Sequence, residues 1–288
     1  MTPTLTILPP ACEAQSTQTS DRTENGLVIA LNNIRTIGQL VIKELYRRKD
    51  FYALFILTAV ITLTMGSVNF FNEDKVVRYL KELCLFLIWV SSLVIAIMTA
   101  ARQIPAERES RTVFPLLAKP VTRNQFVIGK FAGTWAACAI CLAVFYFFFG
   151  VVSAAREHSF PLLSYLQSGL LHWFMLGIVV AMTILGSIVF AAPSSNGTIV
   201  FVSVTTVLIL GRHINKLALQ LAEPQQTLVY AIYYAIPHLE LFDVRDLVIH
   251  NWGTIPWLVW FGALVYAAFY AAAFLTGACF LFRRKALN

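Results

Sequence analysis

Six stretches of this chain, at about residues 51–71, 83–101, 131–152, 170–192, 198–211 and 257–282, contain no Asp, Glu, Lys or Arg. Apolar runs of this kind are what helices need to cross a hydrocarbon core of about 30 Å. A segment inside lipid must also satisfy its backbone internally, which a helix does. The reading is therefore an all-α integral membrane protein with six transmembrane helices. Composition agrees: 58% of residues are hydrophobic and only 13% charged, against about a quarter charged in a soluble domain. The fifth run, 198–211, is short, rising only about 21 Å as a helix. It is expected to reach the interface through Arg212 and Lys216, to pair with a re-entrant segment, or to sit where the bilayer thins.

Charge sets the orientation. Six basic residues precede residue 51, six lie in 102–130, and Arg283, Arg284 and Lys285 follow the last span. The other side of the six-span arrangement holds seven, while the acids divide almost evenly. By the positive-inside rule both termini and the 102–130 segment are expected in the cytoplasm. The basic excess then reads as a topology and anionic-lipid signal. Nucleic acid is not an expected partner, because no soluble surface interleaves basic and aromatic residues.

The polar residues 1–26, with Pro9, Pro10 and a Ser/Thr/Gln run, have no basic region followed by an apolar one. They read as a disordered tail rather than a signal peptide, ahead of a transmembrane domain over 27–288. Leu27, Ile34, Ile37, Val41 and Leu45 recur at helical spacing among Arg35, Lys43, Arg47 and Arg48. That pattern predicts an amphipathic helix in the interface before the first span. Cys138 and Cys141 form a CxxC inside the third span, where buried cysteine most often serves as a small hydrophobe. No metal site is assigned to the cysteines or to the scattered histidines, among which His213, His238 and His250 share one outer loop.

Several chemistries lack their residues. The chain has no GxxxxGK(S/T) phosphate loop, no HExxH and no GxSxG. The uncharged spans offer no carboxylate or lysine for a proton relay or coupling ion. No residue is expected to be catalytic, and any energy source must come from another subunit.

Residues 102–130, RQIPAERESRTVFPLLAKPVTRNQFVIGK, are long for a turn between two spans. Pro105 is expected to end one helix and open another, with Glu107 and Glu109 complementing the positive end of the new helix. Val113, Leu116 and Leu117 would give it an apolar knob, and Arg108, Arg111 and Lys119 a polar rim. Pro120 would end it, and Gly129 would allow close packing where the third span begins. Gly129-xxx-Gly133 and Ala263, Ala267 and Ala271 are small-residue edges for helix packing, expected to be used within one subunit.

Glu107, Arg108, Glu109, Ser110, Arg111 and Thr112, then Leu116, Leu117, Lys119, Pro120 and Arg123, and finally Gly129 and Lys130 resemble the first cytoplasmic loop of ABC-2 type ABC-transporter permeases. That loop runs E-x-E-x-G-T, L-L-x-x-P-(V/I)-x-R and ends in G-K. Arg111 stands where Gly is common, and Phe114 and Pro115 replace helix formers. Pro237, Glu240, Phe242 and Asp243 are similar to the outer-loop P-x-x-E-x-F-(N/D) of the same family. The resemblance covers about residues 30–285 and is nearest the compact six-span permeases that include the copper-maturation exporter component.

It implies a permease subunit in a bacterial inner membrane, paired with a second permease subunit and with a separate ATPase that binds ATP and Mg. The chain itself would carry no cofactor. The loop would be the coupling helix that receives the ATPase's closing motion, and short helices in the 212–256 loop would cap a central pathway. An outer-side accessory protein would fit the alternative, a non-transporting anchor or force transmitter. A third class, an ion-coupled carrier or intramembrane enzyme, would need a polar cluster hidden in the membrane core. Ser and Thr in the spans would suit an amphipathic or lipid-like cargo, and the same residues also serve ordinary helix packing.

Overall fold

A computed structural model describes residues 29–45, 47, 49–67, 73–109, 122–157, 161–218, 225–227, 229, 230 and 236–284. The polar tail lies outside these residues. So do Arg111, Thr112, Leu116, Leu117, Lys119 and Pro120, and the side chains of Arg108, Glu109, Arg212 and Lys216.

The described residues are helical, with no strand among them. They form α1 (29–45), α2 (Lys49–Ser67), α3 (Glu73–Arg102), α4 (Pro105–Glu109), α5 (Arg123–Glu157), α6 (Leu162–Val189), α7 (Pro193–Ala218), a 3₁₀ turn (Leu239–Phe242), α8 (Arg245–Ile249) and α9 (Trp257–Arg284). Among the described residues, four segments are long and apolar enough to cross a membrane: Val77–Glu107, Arg123–Ala155, Leu162–Val189 and Trp257–Arg284. Tyr52–Thr64 and Pro193–Ile209 are shorter apolar helical segments.

Most helices outrun the uncharged blocks of the sequence. α3 begins at Glu73, ahead of Lys75, Arg78, Lys81 and Glu82, because charged residues are good helix formers and stop only burial in lipid. α7 runs for 26 residues, about 39 Å, so the helix itself is long enough although its apolar part is short. α6 stops at Val189, and Phe190 turns extended, φ −87° and ψ 140°.

α6 is the central post. It is buried along most of its length and packs on α3, α5, α7 and α9. α9 packs against it, with Ala267 and Ala278 buried and Ala263 and Phe274 partly buried against the core. Leu258, Val265 and Phe269 on its other side are exposed. At one end of the bundle the side-chain amide of Gln167 grips the loop before α9. Its Oε1 accepts from Ile255 N at 3.0 Å and its Nε2 donates to Ile255 O at 3.2 Å. Ser164 Oγ adds a bond to Gly253 O at 3.0 Å, so a loop with no helical partner still satisfies its backbone.

In the first halves of α5 and α6, Trp135 and Trp173 stack with ring centroids 4.3 Å apart. Each indole N–H donates to the other's backbone carbonyl, at 3.0 and 2.9 Å. Nothing in the spacing of the sequence announces this reciprocal clasp.

Candidate functional site

Three elements converge on the first turns of α5. The helix starts with a reciprocal cap. Gln125 N donates to Thr122 Oγ1 at 3.3 Å, and Thr122 N donates to Gln125 Oε1 at 3.0 Å. This is the capping box that T-x-x-Q encodes, a start signal legible in the sequence that the reading above passed over.

α1 lies against the next turns. A Cβ added to Gly129 would meet Ile37 at 3.0 Å, and one added to Gly133 would lie 2.6 Å from Gly38 Cα. The small-residue edge of the third span is therefore filled by this chain's own α1, with Ile37, Val41 and Leu45 buried and Arg35, Lys43 and Arg47 exposed. Glycines let two helix backbones approach this closely. Sequence spacing exposed one half of this contact, the Gly129-xxx-Gly133 edge, but not Gly38.

The end of α9 is tied to the start of α5. Arg123 Nη1 donates to the carbonyls of Phe282 and Arg283 at 3.4 and 3.3 Å, and Arg283 Nε donates to Asn124 Oδ1 at 3.0 Å. Phe126 stacks on Phe282 with centroids 5.9 Å apart. A guanidinium at the negative end of α9 satisfies carbonyls that have no partner further along the helix.

The third contact comes from the segment after α3. Gln103 and Ile104 turn the chain, and Pro105 opens α4 at the position where its missing N–H is harmless. Glu107 lies in the first turn of α4. Its carboxylate points back into the protein and pairs with Lys130, whose side chain is 3% exposed against 13% for Glu107. Lys130 Nζ also lies 5.8 Å from the centre of the Phe126 ring. Glu107, Arg123, Gly129 and Lys130 are thus gathered into one bracket. The remaining residues of the loop motif lie outside the described residues or have undescribed side chains.

The outer motif is a separate site at the other end of the bundle. Pro237, Leu239 and Phe242 are buried, anchoring the 3₁₀ turn against α6 and α7. His238 N donates to Tyr266 OH on α9 at 2.8 Å, and its ring lies 4.0 Å from Glu240. Asp243 accepts two bonds from Arg245, at 2.7 and 3.0 Å. That bidentate pairing raises the Arg245 pKa further above its ordinary value. The guanidinium rests 4.9 Å from the ring centre of Trp89 on α3, at cation–π distance. Pro237, Glu240, Phe242 and Asp243 therefore form one folded cap that touches three long helices.

A buried polar cluster lies beneath Trp89. Ser92 Oγ is 2.9 Å from His172 Nε2, and Tyr146 OH is 3.3 Å from His172 Nδ1. Both ring nitrogens are engaged and His172 is buried, so these groups join α3, α5 and α6 to one another. Thr58 and Ser91, 3.3 Å apart, do the same for α2 and α3. The hydroxyl-bearing residues Thr58, Ser91, Ser92, Tyr146, Thr183 and Ser187 all bond within the bundle, the packing use of such residues. Ser203 bonds the backbone of its own exposed helix face.

Comparison with known proteins yields one family. The model described as "ABC-2 family transporter protein" matches residues 14–287. No curated protein matches the chain.

Proposed function

This chain belongs to the ABC-2 transporter family, and from that premise we propose that it couples ATP hydrolysis by a separate ATPase subunit to export, or to force transmission, across the membrane. Six helices would span the bilayer: α2, α3, α5, α6, α7 and α9. Both termini and the 102–130 segment would face the cytoplasm of a bacterial inner membrane, where 15 of the 22 basic residues then lie. α1 would lie in the inner interface, with its exposed basic residues among lipid headgroups.

The observation that carries this reading is the bracket at the base of α5. α4 opens at Pro105, and the Glu107–Lys130 pair fastens it to α5. A segment fastened this way can receive a push from a soluble partner and deliver it to the long helices. Arg108, Glu109, Arg111, Thr112, Leu116, Leu117, Lys119, Pro120 and Arg123 are the proposed contact and positioning residues for that partner. ATP and Mg would be held by the ATPase. Closure of the ATPase would then bias two packings of the bundle, in a complex of two permease and two ATPase subunits. The cap formed by Pro237, Glu240, Phe242 and Asp243 would close the outer end of the pathway.

Charging the apolar knob tests this. A Leu116→Asp, Leu117→Asp double variant should reduce recovery of the ATPase with the tagged chain by about tenfold or more, since two buried apolar anchors are worth about 3 kcal/mol or more together. Undiminished recovery together with undiminished stimulation of hydrolysis would contradict the assignment.

A further inference from the structure

We propose that the Glu107–Lys130 ion pair is the rigid link through which displacement of α4 reaches the transmembrane helices, and that Lys130 is a positioning residue for coupling. The inference rests on the functional reading above and assigns the transmission step to a single contact.

Lysine is almost never fully buried unless it is paired. Lys130 is 3% exposed and meets the Glu107 carboxylate, itself largely buried. Removing Glu107 would leave the Lys130 charge in a low-dielectric site, which is far less favourable than keeping the pair. α4 therefore cannot slide away from α5 without a large electrostatic penalty, and the two should move as one body. The other contacts of the same turns give that motion somewhere to go. One residue before Lys130, Gly129 touches Ile37 of α1, and one turn further Gly133 touches Gly38. One turn and two turns earlier, Phe126 and Arg123 hold the end of α9. A pull on Lys130 is thus shared with α1 and α9 through packing that tolerates little slack. Glu107, on this geometry, acts through Lys130 and not by touching the ATPase.

The test uses the full-length chain purified with its co-expressed ATPase, comparing Glu107→Gln, Lys130→Met, Lys130→Arg and the exchanged pair Glu107→Lys, Lys130→Glu. Assembly is read by the ATPase recovered with the chain, and coupling by kcat and KM for ATP. The pair predicts that Glu107→Gln and Lys130→Met keep the ATPase bound and leave KM within about twofold. Their stimulated kcat should fall by about five- to tenfold, within the range that mutations along a coupling network produce. Lys130→Arg should stay near wild type and the exchanged pair should recover at least half of the loss. If a neutral variant fails to accumulate, Lys130→Arg and the exchanged pair decide the matter, because an ion-pair link requires both to support stimulation. Wild-type stimulation in the neutral variants, or no recovery in the exchanged pair and in Lys130→Arg, would overturn the link while leaving the permease reading intact. A wild-type chain that recovers no ATPase overturns the permease reading and this inference with it.

Discussion

Replacing Gly133 by leucine is expected to lift α1 off the body of the protein. A Cβ at this position lies 2.6 Å from Gly38 Cα, 2.9 Å from Gly38 O and 3.0 Å from Val41 Cβ. Two of these obstacles are backbone atoms, which have no rotamer to change, so the helices must separate. Overpacking of a tight contact destabilises by about 1–3 kcal/mol. Here the upper end applies, because Ile37, Val41 and Leu45 lose their burial together. The apparent Tm in mild detergent should fall by roughly 5–10 °C, and protease should cut within 29–45 faster than in the parent. Gly262 supplies the control, since nothing lies within 4 Å of a Cβ added there. Gly262→Ala should be neutral or stabilise by up to about 1 kcal/mol through helix propensity. Equal behaviour of the two variants would contradict the α1–α5 contact.

The second large effect is expected from Trp135→Ala. The change removes a ring stacked at 4.3 Å on Trp173 and an N–H bonded to Trp173 O. It also frees the Trp173 N–H to lose its own alignment with Trp135 O. In a soluble core the loss of a tryptophan is worth about 3–5 kcal/mol. In a bilayer the transfer part shrinks, because lipid tails are as apolar as the ring's former neighbours, and packing and hydrogen bonding remain. About 2–3 kcal/mol is therefore the expected loss, seen as a lower apparent Tm. Trp135→Phe keeps much of the stack and should lose about 1 kcal/mol, the net value of one hydrogen bond. If the alanine variant were no worse than the phenylalanine one, the stacked rings would not be holding α5 to α6. Gly177 belongs to the same clasp, since a Cβ there would meet Trp135 Nε1 at 2.9 Å.

Much of the fold was legible because charge and lipid are incompatible. The uncharged blocks located the cores of α2, α3, α5, α6, α7 and α9, and the spacing of Ile34, Ile37, Val41 and Leu45 located α1. Helix ends were less legible, since a helix continues through charged residues such as Lys81 once the side chain can reach a partner such as Asn251. The start of α5 could have been read from Thr122 and Gln125. Pro105 was read correctly as a break between helices, and Glu107 as a first-turn residue of the next. That Glu107 turns inward to Lys130 was not readable, because the contact joins residues on different helices whose approach depends on the whole bundle. Pro237, Glu240, Phe242 and Asp243 stood out as a motif, yet the placement of Arg245 over Trp89 needed the fold. The same holds for Gln167, an unremarkable polar residue in sequence that bonds both backbone groups of Ile255.

The most direct test of the account is to purify the tagged full-length chain in mild detergent, identify what accompanies it, and assay the eluate for ATP hydrolysis. The account predicts a co-purifying soluble ATPase subunit and hydrolysis that exceeds that of the isolated partner. An eluate that holds the intact chain, with no nucleotide-hydrolysing subunit even after cross-linking in the membrane, would contradict it.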